Sequence, residues 1–252
     1  MLKTVHQALE ILKMFTKEKP VWGGRELSNA TGINHTKIYR ILETLEAQNF
    51  LTKDAETKKY SLGFAVWELG SIMYDQLNVK ELIRPSLARL TEKTGESTFL
   101  TILDGKEALT LEVVEPANKV KFSVSSGSRA PLYVGASYRS ILAYMPDEAI
   151  EEVIAGGLKA YTDRTMTSEI ELRNELATIR KRGFAISHGE YTEDVIALAM
   201  PLFHEGRIVG SITISGPAYR FNEERFDSCL PLLREAITDI SEKIERYQIV
   251  LK

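Results

Sequence analysis

The stretch INHTKIYRILETLEAQNF, residues 33–50, sorts its side chains by chemistry. Ile38, Ile41, Leu42 and Leu45 recur at i, i+3, i+4 and i+7, the spacing of a single helical face, and predict a buried side. At about 100° per residue, Thr36 and Arg40 then point away from that side, with Lys37 and Tyr39 on its flanks. A guanidinium fork, an ammonium, a phenol and a hydroxyl within a turn of one another can donate to phosphate oxygens or to base edges. An ordinary solvated helix face is the competing reading. His35 has two readings of its own, a helix cap or a contact to a base, and Asn34 precedes it.

A second group of chemistry-bearing residues is GASYRSILAYM, residues 135–145, which reads as a helix opening at a glycine. Free N–H groups at Gly135, Ala136 and Ser137 would make an anion site with the helix dipole behind them. Motifs for catalysis are missing. There is no G-x-S-x-G elbow, G-x-G-x-x-G fingerprint or P-loop, and HEGRI at 204–208 lacks the second histidine of H-E-x-x-H. His188 and Glu190 form an H-x-E without the P-C-x-x-C that deaminase chemistry requires. Four histidines and the single Cys229 support no metal site, and no cofactor or enzymatic activity is expected.

The elements that would position these groups follow from periodicity and punctuation. Helix signals fall at 4–17, 25–31 and 35–48, separated by EKPVWGG and TGIN, with Gly32 able to take the positive φ that turns the second helix into the third. This is the helix-turn-helix plan. FLTKDAETKKYSL then reads as a hairpin, strands 50–53 and 59–62 around a polar turn, and so as a wing that carries Lys53, Lys58 and Lys59. In that setting the polar face of 34–44 is expected to enter a DNA major groove, with Arg40 the first choice for a guanine contact and the wing lysines suited to phosphate.

GFAVWELGSIMYDQL, residues 63–77, is a helix rich in large apolar residues and predicts a partner, most simply a second copy of the chain. In the following helix Pro85 is expected to introduce a bend. From residue 96 the period falls to two: STFLTILDG, EALTLEVVEP and VKFSVSSGS predict three strands, followed by helices near 136–145, 147–155 and 168–182. Two strands joined at Glu205-Gly206 and a helix over 222–248 complete an α+β domain with a largely antiparallel sheet. The expected domains are 1–62, a linker and dimerisation helix over 63–80, and 81–252.

Charge divides the same way. The 252-residue chain is −3 overall, but residues 1–62 hold ten Lys/Arg against seven Asp/Glu, so a +3 segment precedes one of −6. Only the first is suited to a polyanion. The lone cysteine excludes a disulfide framework, and no apolar run reaches the roughly 20 residues of a bilayer span, so a cytoplasmic protein away from membranes is expected.

LSNATGINHTKIYRILETLEAQNFL with YSLGFAVWELG, and RGFAISHGEY, IALAMPLF and TISGPAYR further on, make nearly the whole chain resemble the IclR family of bacterial transcriptional regulators. The resemblance implies a winged helix-turn-helix domain, a helical linker and a GAF-like effector domain. It also implies double-stranded operator DNA as partner, a small molecule that changes operator affinity, and homodimers that often pair into tetramers; repression is the first expectation and activation the second. It places Ser187, Glu190, Ala197, Thr213 and Ser215 around the same cavity as Gly135, Ala136 and Ser137, with Met200 and Leu132 as apolar neighbours and Arg139 one turn into the helix. Donors outnumber acceptors in that set, which favours an organic acid. His35-Thr36-Lys37 and PLYVGAS depart from the family pattern, so neither operator nor effector carries over. The rival reading is a GAF-like sensory or catalytic module whose winged helix docks a protein.

Overall fold

The computed structural model describes residues 1–252 except 77, 119, 120, 123, 248 and 250–252. The described residues form two compact units, Met1–Gln76 and Leu77–Lys252.

In the first unit, α1 (Lys3–Lys13), α2 (Gly24–Thr31) and α3 (His35–Ala47) enclose a core in which Ile11, Leu27, Ile38 and Leu42 are fully buried. α1 stops four residues short of the expected end because Thr16 closes a turn, its Oγ1 accepting from the Lys19 N–H at 3.2 Å, while Phe15 folds into the core. α2 ends at Gly32, whose φ of +68° is the left-handed conformation that only glycine adopts without strain. Ser28 Oγ secures the turn by donating to the Ile33 carbonyl at 2.6 Å. The hairpin is β1 (Leu51–Lys53) against β2 (Tyr60–Leu62), and Tyr60 also exchanges two backbone hydrogen bonds with Trp22. The wing is thereby tied to the segment before α2. α4 (Phe64–Gln76) follows, and none of its described side chains is buried.

The second unit opens with a π-helical turn, Val79–Ile83, that passes into α5 (Arg84–Thr94). Pro85 therefore sits in the first turn of α5, where its missing N–H costs no helical hydrogen bond, instead of bending a continuous helix. Six strands form one antiparallel sheet in the order β5-β4-β3-β8-β7-β6. They are β3 (Ser97–Asp104), β4 (Glu107–Val114), β5 (Arg129–Ala130), β6 (Ala185–His188), β7 (Val195–His204) and β8 (Arg207–Pro217). Between β5 and β6 lie α6 (Gly135–Leu142), α7 (Asp147–Ala155) and α8 (Glu169–Arg182), and α9 (Phe226–Tyr247) closes the unit after a 3-10 turn at Glu223–Arg225.

Two expectations change. The third strand is not the stretch 120–128: residues 120 and 123 lie outside the described ones and the others there are not strand; among the described residues the strand paired with β4 is Arg129–Ala130, with Gly127 and Ser128 adding backbone hydrogen bonds to Thr110. Conversely Ala185–His188 is a strand, pairing with β7 from Ala185↔Ala199 to His188↔Ile196.

Register sorts the sheet into two faces, since directly paired residues project to the same side. Ser211, Thr213 and Ser215 of β8 share a face with Thr101, Phe99 and Ser97 of β3 and with Pro201, Ala199 and Ala197 of β7. That face carries α6, because Ser137 bonds to Thr101 and Ser211. The opposite face, with Leu100, Ile212, Ile214 and Leu198, lies toward α5, where Thr98 Oγ1 donates to the Leu87 carbonyl at 3.0 Å.

Candidate nucleic-acid interface and small-molecule site

The polar face of α3 is built by its cap and its core side together. Asn34 is the N-cap, its Oδ1 accepting from the Lys37 N–H at 2.9 Å, so the cap is Asn34 and His35 is free of that role. Ile38, Ile41, Leu42 and Leu45 are buried, which leaves Asn34, His35, Thr36, Tyr39 and Arg40 exposed and Lys37 half-buried. Tyr39 lies across the start of α2: a Cβ added to Gly24 would stand 2.8 Å from its ring, so only glycine permits this contact. Arg40 makes no ion pair among the described residues.

The wing lysines differ. Lys53 is half-buried with its ammonium 5.3 Å from the Tyr60 ring centroid, a cation–π distance. Lys58 takes a φ of +59° and donates from Nζ to the Ala55 carbonyl at 2.6 Å, closing its own turn. Lys59 is exposed and makes no side-chain hydrogen bond or ion pair among the described residues, although, after the Gly23 N–H that is the largest cause, its charge helps to hold the Glu26 carboxyl below the ordinary value. Asp54 organises the turn, its Oδ1 accepting from the Thr57 hydroxyl at 2.6 Å and from the Thr57 N–H at 2.7 Å. Those bonds hold its carboxyl below the ordinary value. This role for Asp54 was missed in the sequence, although an Asp three residues before a Thr in a polar turn is its signal.

In the second unit α6 begins with Gly135 at φ +78° and has no side-chain cap, so its first amides are open. A carboxylate from elsewhere in the chain has come to them. Glu190 accepts from the Gly135 N–H at 3.3 Å and takes both terminal nitrogens of Arg139, Nη1 to Oε2 and Nη2 to Oε1, the latter at 2.8 Å. Arg139 is 1% exposed; its Nη2 also donates to the Ile186 carbonyl at 2.7 Å, and its Nε has no partner among the described residues. Thr162 and Thr165 bind the loop from outside, donating at 2.6 Å to the carbonyls of Gly189 and Glu190 respectively.

The other expected lining residues are brought to the same face, in different states. Ser137 Oγ donates to Thr101 Oγ1 at 2.7 Å and lies 3.1 Å from Ser211 Oγ, fastening α6 to the sheet. Ser215 Oγ donates to the Ile196 carbonyl at 3.0 Å. Thr213 Oγ1 is buried without a partner among the described residues. Ser187 and Ala197 pair across β6 and β7, and with Ala185, Ala199 and Ala136 they form a floor of small side chains. Met200 pairs with Ile212 and lies on the opposite face, so it is not a neighbour of this group.

Among the described residues no three His, Cys, Asp or Glu side chains gather as a metal would need, and no helix is long and apolar enough to cross a membrane. Cys229 is buried, and burial pushes its thiol above the ordinary value, away from nucleophilic use.

A winged helix-turn-helix followed in the chain by a separate α+β unit with polar groups gathered under one helix defines a class, the DNA-binding transcriptional regulators with an effector domain. Comparison with known proteins agrees. The IclR helix-turn-helix domain matches residues 4–55, and the C-terminal domain of the bacterial transcriptional regulator IclR matches 72–242. The chain is 33% identical over 246 residues to the HTH-type transcriptional regulator KipR of Bacillus subtilis, covering 97% of this chain and 96% of KipR. It is 26% identical to the transcriptional repressor IclR of Escherichia coli, covering 89% and 83%. An IclR homologue from Microbacterium hydrocarbonoxydans, crystallised with 4-hydroxybenzoate, shares the fold at a TM-score of 0.82 and 22% identity, over 96% of this chain and 99% of that one. This chain belongs to the IclR family of bacterial transcriptional regulators.

Proposed function

We propose that this regulator is a cytoplasmic repressor that holds an imperfectly palindromic operator as a homodimer, and that a small organic acid bound under α6 changes that hold. The observation that carries the DNA part is the exposed run His35, Thr36, Tyr39 and Arg40 on a capped helix whose opposite side is fully buried. A helix so anchored can offer its N-terminal residues to base edges without rearranging. We assign base contacts to Arg40, Thr36 and Tyr39, base or phosphate contacts to Asn34, His35 and Lys37, and phosphate contacts to the wing, with Lys59 the freest of its three lysines.

The effector part rests on a buried guanidinium, the Ala136 and Ser137 amides at the start of α6 and the unused hydroxyl of Thr213, all of which favour an anion rich in acceptors. The same fold holds a carboxylic acid in the Microbacterium protein. Gly135, Ala136, Ser187, Glu190, Ala197 and Thr213 are the nearest lining, while Ser137 and Ser215 support it from engaged positions. α4 supplies the dimer seam: Phe64, Trp67, Leu69, Ile72 and Met73 are each more than half exposed.

The test is binding of the full chain to labelled operator, selected from a random pool, with and without a panel of small carboxylic acids and their amides. At least one acid should change operator affinity while its amide does not. No response to any acid would remove the effector reading, and no preference for the selected sequence over random DNA would remove the operator reading.

A further inference from the structure

The anion position under α6 is already filled, and by the protein itself. Glu190 reaches Arg139 across 51 residues of sequence and caps the α6 N-terminus through Gly135. Arg139 is 1% exposed and the Glu190 side chain 10%, so neither charge has water as an alternative partner. A carboxylate arriving from solution would meet a guanidinium whose charge is already balanced. Adding it beside Glu190 would place two carboxylates around one buried cation, and burying that excess charge is strongly unfavourable. Leaving Arg139 with neither would be as bad. One carboxylate must replace the other.

We propose that Glu190 is a resident stand-in for the effector, and that an effector acid binds by carboxylate-for-carboxylate exchange at Arg139 and the α6 N-terminus. This deepens the acid-effector reading and rests on it. Two further observations support the exchange. Thr213 Oγ1, 0% exposed and on the sheet face that carries α6, has no partner among the described residues, and neither has Arg139 Nε. Two donors are therefore left over that Glu190 does not satisfy and an incoming acid could. In addition, Glu190 is carried on a connection between strands and not within the sheet. Residues 189–194 connect β6 to β7, with Gly189 and Asp194 at positive φ, and are fastened by the Gly189 N–H to the Val195 carbonyl, the Ala218 N–H to the Asp194 carbonyl, the Thr162 and Thr165 hydroxyls and the Tyr161–Tyr191 ring contact, all of them outside the β6–β7 ladder. Exchange therefore turns occupancy of a buried site into movement of an outer loop, and the effector's carboxylate sets whether it can happen at all.

The experiment uses the full chain, with acetate as probe and acetamide as its neutral counterpart. Glu190→Ala opens the position and leaves Arg139 unbalanced, so acetate should raise the melting temperature saturably, at a half-saturating concentration at least about tenfold below that of the unsubstituted chain, while acetamide does little. If Glu190→Ala does not fold, Glu190→Gln keeps the size and removes the competing charge, and should show the same ordering. Equal acetate responses in variant and parent, or equal responses to acetate and acetamide, would overturn the proposal. Hydrogen exchange gives a second readout: saturating acetate on the parent chain should speed exchange at 189–195 and slow it at 135–137, and unchanged protection at 189–195 would overturn exchange. Operator binding scores the underlying reading separately. Should acetate rescue Glu190→Ala while no acid alters operator affinity of the parent, carboxylate exchange stands and the acid-effector reading falls.

Discussion

Arg40→Ala and Lys59→Ala should weaken DNA binding by equally simple truncations and in opposite ways. Arg40 is exposed on α3 and makes no ion pair among the described residues, so its removal leaves the folded domain nearly unchanged and any loss appears on DNA. A bidentate guanidinium–guanine contact discriminates by about 1–3 kcal/mol, and a twofold dimer uses it twice, so the operator complex should lose about 2–6 kcal/mol. At 1.4 kcal/mol per decade that is a loss of roughly 30-fold or more. Binding to random sequence should fall much less. Lys59 reports the other term. Each lost phosphate contact removes about 0.9 from the slope of log K against log salt, so both copies together should flatten it by about 1.8 on operator and random DNA alike. Lys58→Ala should flatten it less, because its ammonium already donates to the Ala55 carbonyl. The assay is fluorescence anisotropy of operator and scrambled duplexes over a series of salt concentrations. Equal losses on the two duplexes for Arg40→Ala, or an unchanged slope for Lys59→Ala, would refute the assignment of α3 to bases and the wing to phosphates.

Three other outcomes are expected. Asn34→Ala removes the hydrogen bond to the Lys37 N–H and should cost about 1 kcal/mol of stability by denaturant titration, whereas Asn34→Ser should retain most of it; equal loss in both would show that the cap is not what Asn34 contributes. Trp67→Asp with Ile72→Asp places charge on the exposed face of α4 and should convert a dimer to monomer in sedimentation equilibrium, with a parent chain already monomeric at micromolar concentration excluding this seam. Glu96 is fully buried against Arg220 and, more distantly, Arg225, whose side chains are 27% and 35% exposed, so Glu96→Ala loses charged hydrogen bonds without stranding a buried cation and should destabilise the second unit by about 1–3 kcal/mol in thermal or denaturant unfolding; no measurable loss would mean that water fully replaces these bonds.

The first unit was legible because its information is local. One apolar face and a glycine at the turn specify α2 and α3 within 25 residues, though the cap falls at Asn34 and not at His35, and the wing follows from a polar turn between short strands. The second unit hides more. β7 is buried from Ile196 to Leu202 on both of its faces, so no alternation marks which residues face α6, and Met200 is separated from Ala197 and Ala199 only by register. β6 is four residues long, too short for alternation to mark it. Over 120–128 the apolar alternation suggests a strand, yet among the described residues the strand pairing with β4 falls at Arg129 and Ala130, after Gly127 turns the chain with φ +87°.

The small-molecule site shows why a census of residue types does not describe a pocket. Counted from sequence, its donors exceed its acceptors: three amides, three hydroxyls and the nearby Arg139 against Glu190. What a ligand meets is the valence left over after the protein has bonded to itself. Ser137 is used on Thr101 and Ser211, Ser215 on a β7 carbonyl, and Arg139 and Gly135 on Glu190. Thr213 Oγ1 and Arg139 Nε remain as buried donors, and the Ser187 hydroxyl and the Ala136 and Ser137 amides have no partner among the described residues. These are neutral donors or part of a guanidinium already paired, so the charge that would attract an acid by addition is balanced. The remainder is enough to tip an exchange, because Glu190 and an entering carboxylate make the same bonds to Arg139 and differ only in what else they satisfy. Selectivity among acids should therefore come from the body of the ligand against Ala136, Ala185, Ala197 and Ala199, small side chains buried in the core beside α6. Ala199→Leu adds bulk to that surface from the sheet without changing Arg139 or Glu190, so it should abolish the response to acids with an aliphatic or aromatic body and spare the response to acetate. Loss of both responses together, measured by melting temperature in the same folded variant, would show that the body of the ligand lies elsewhere.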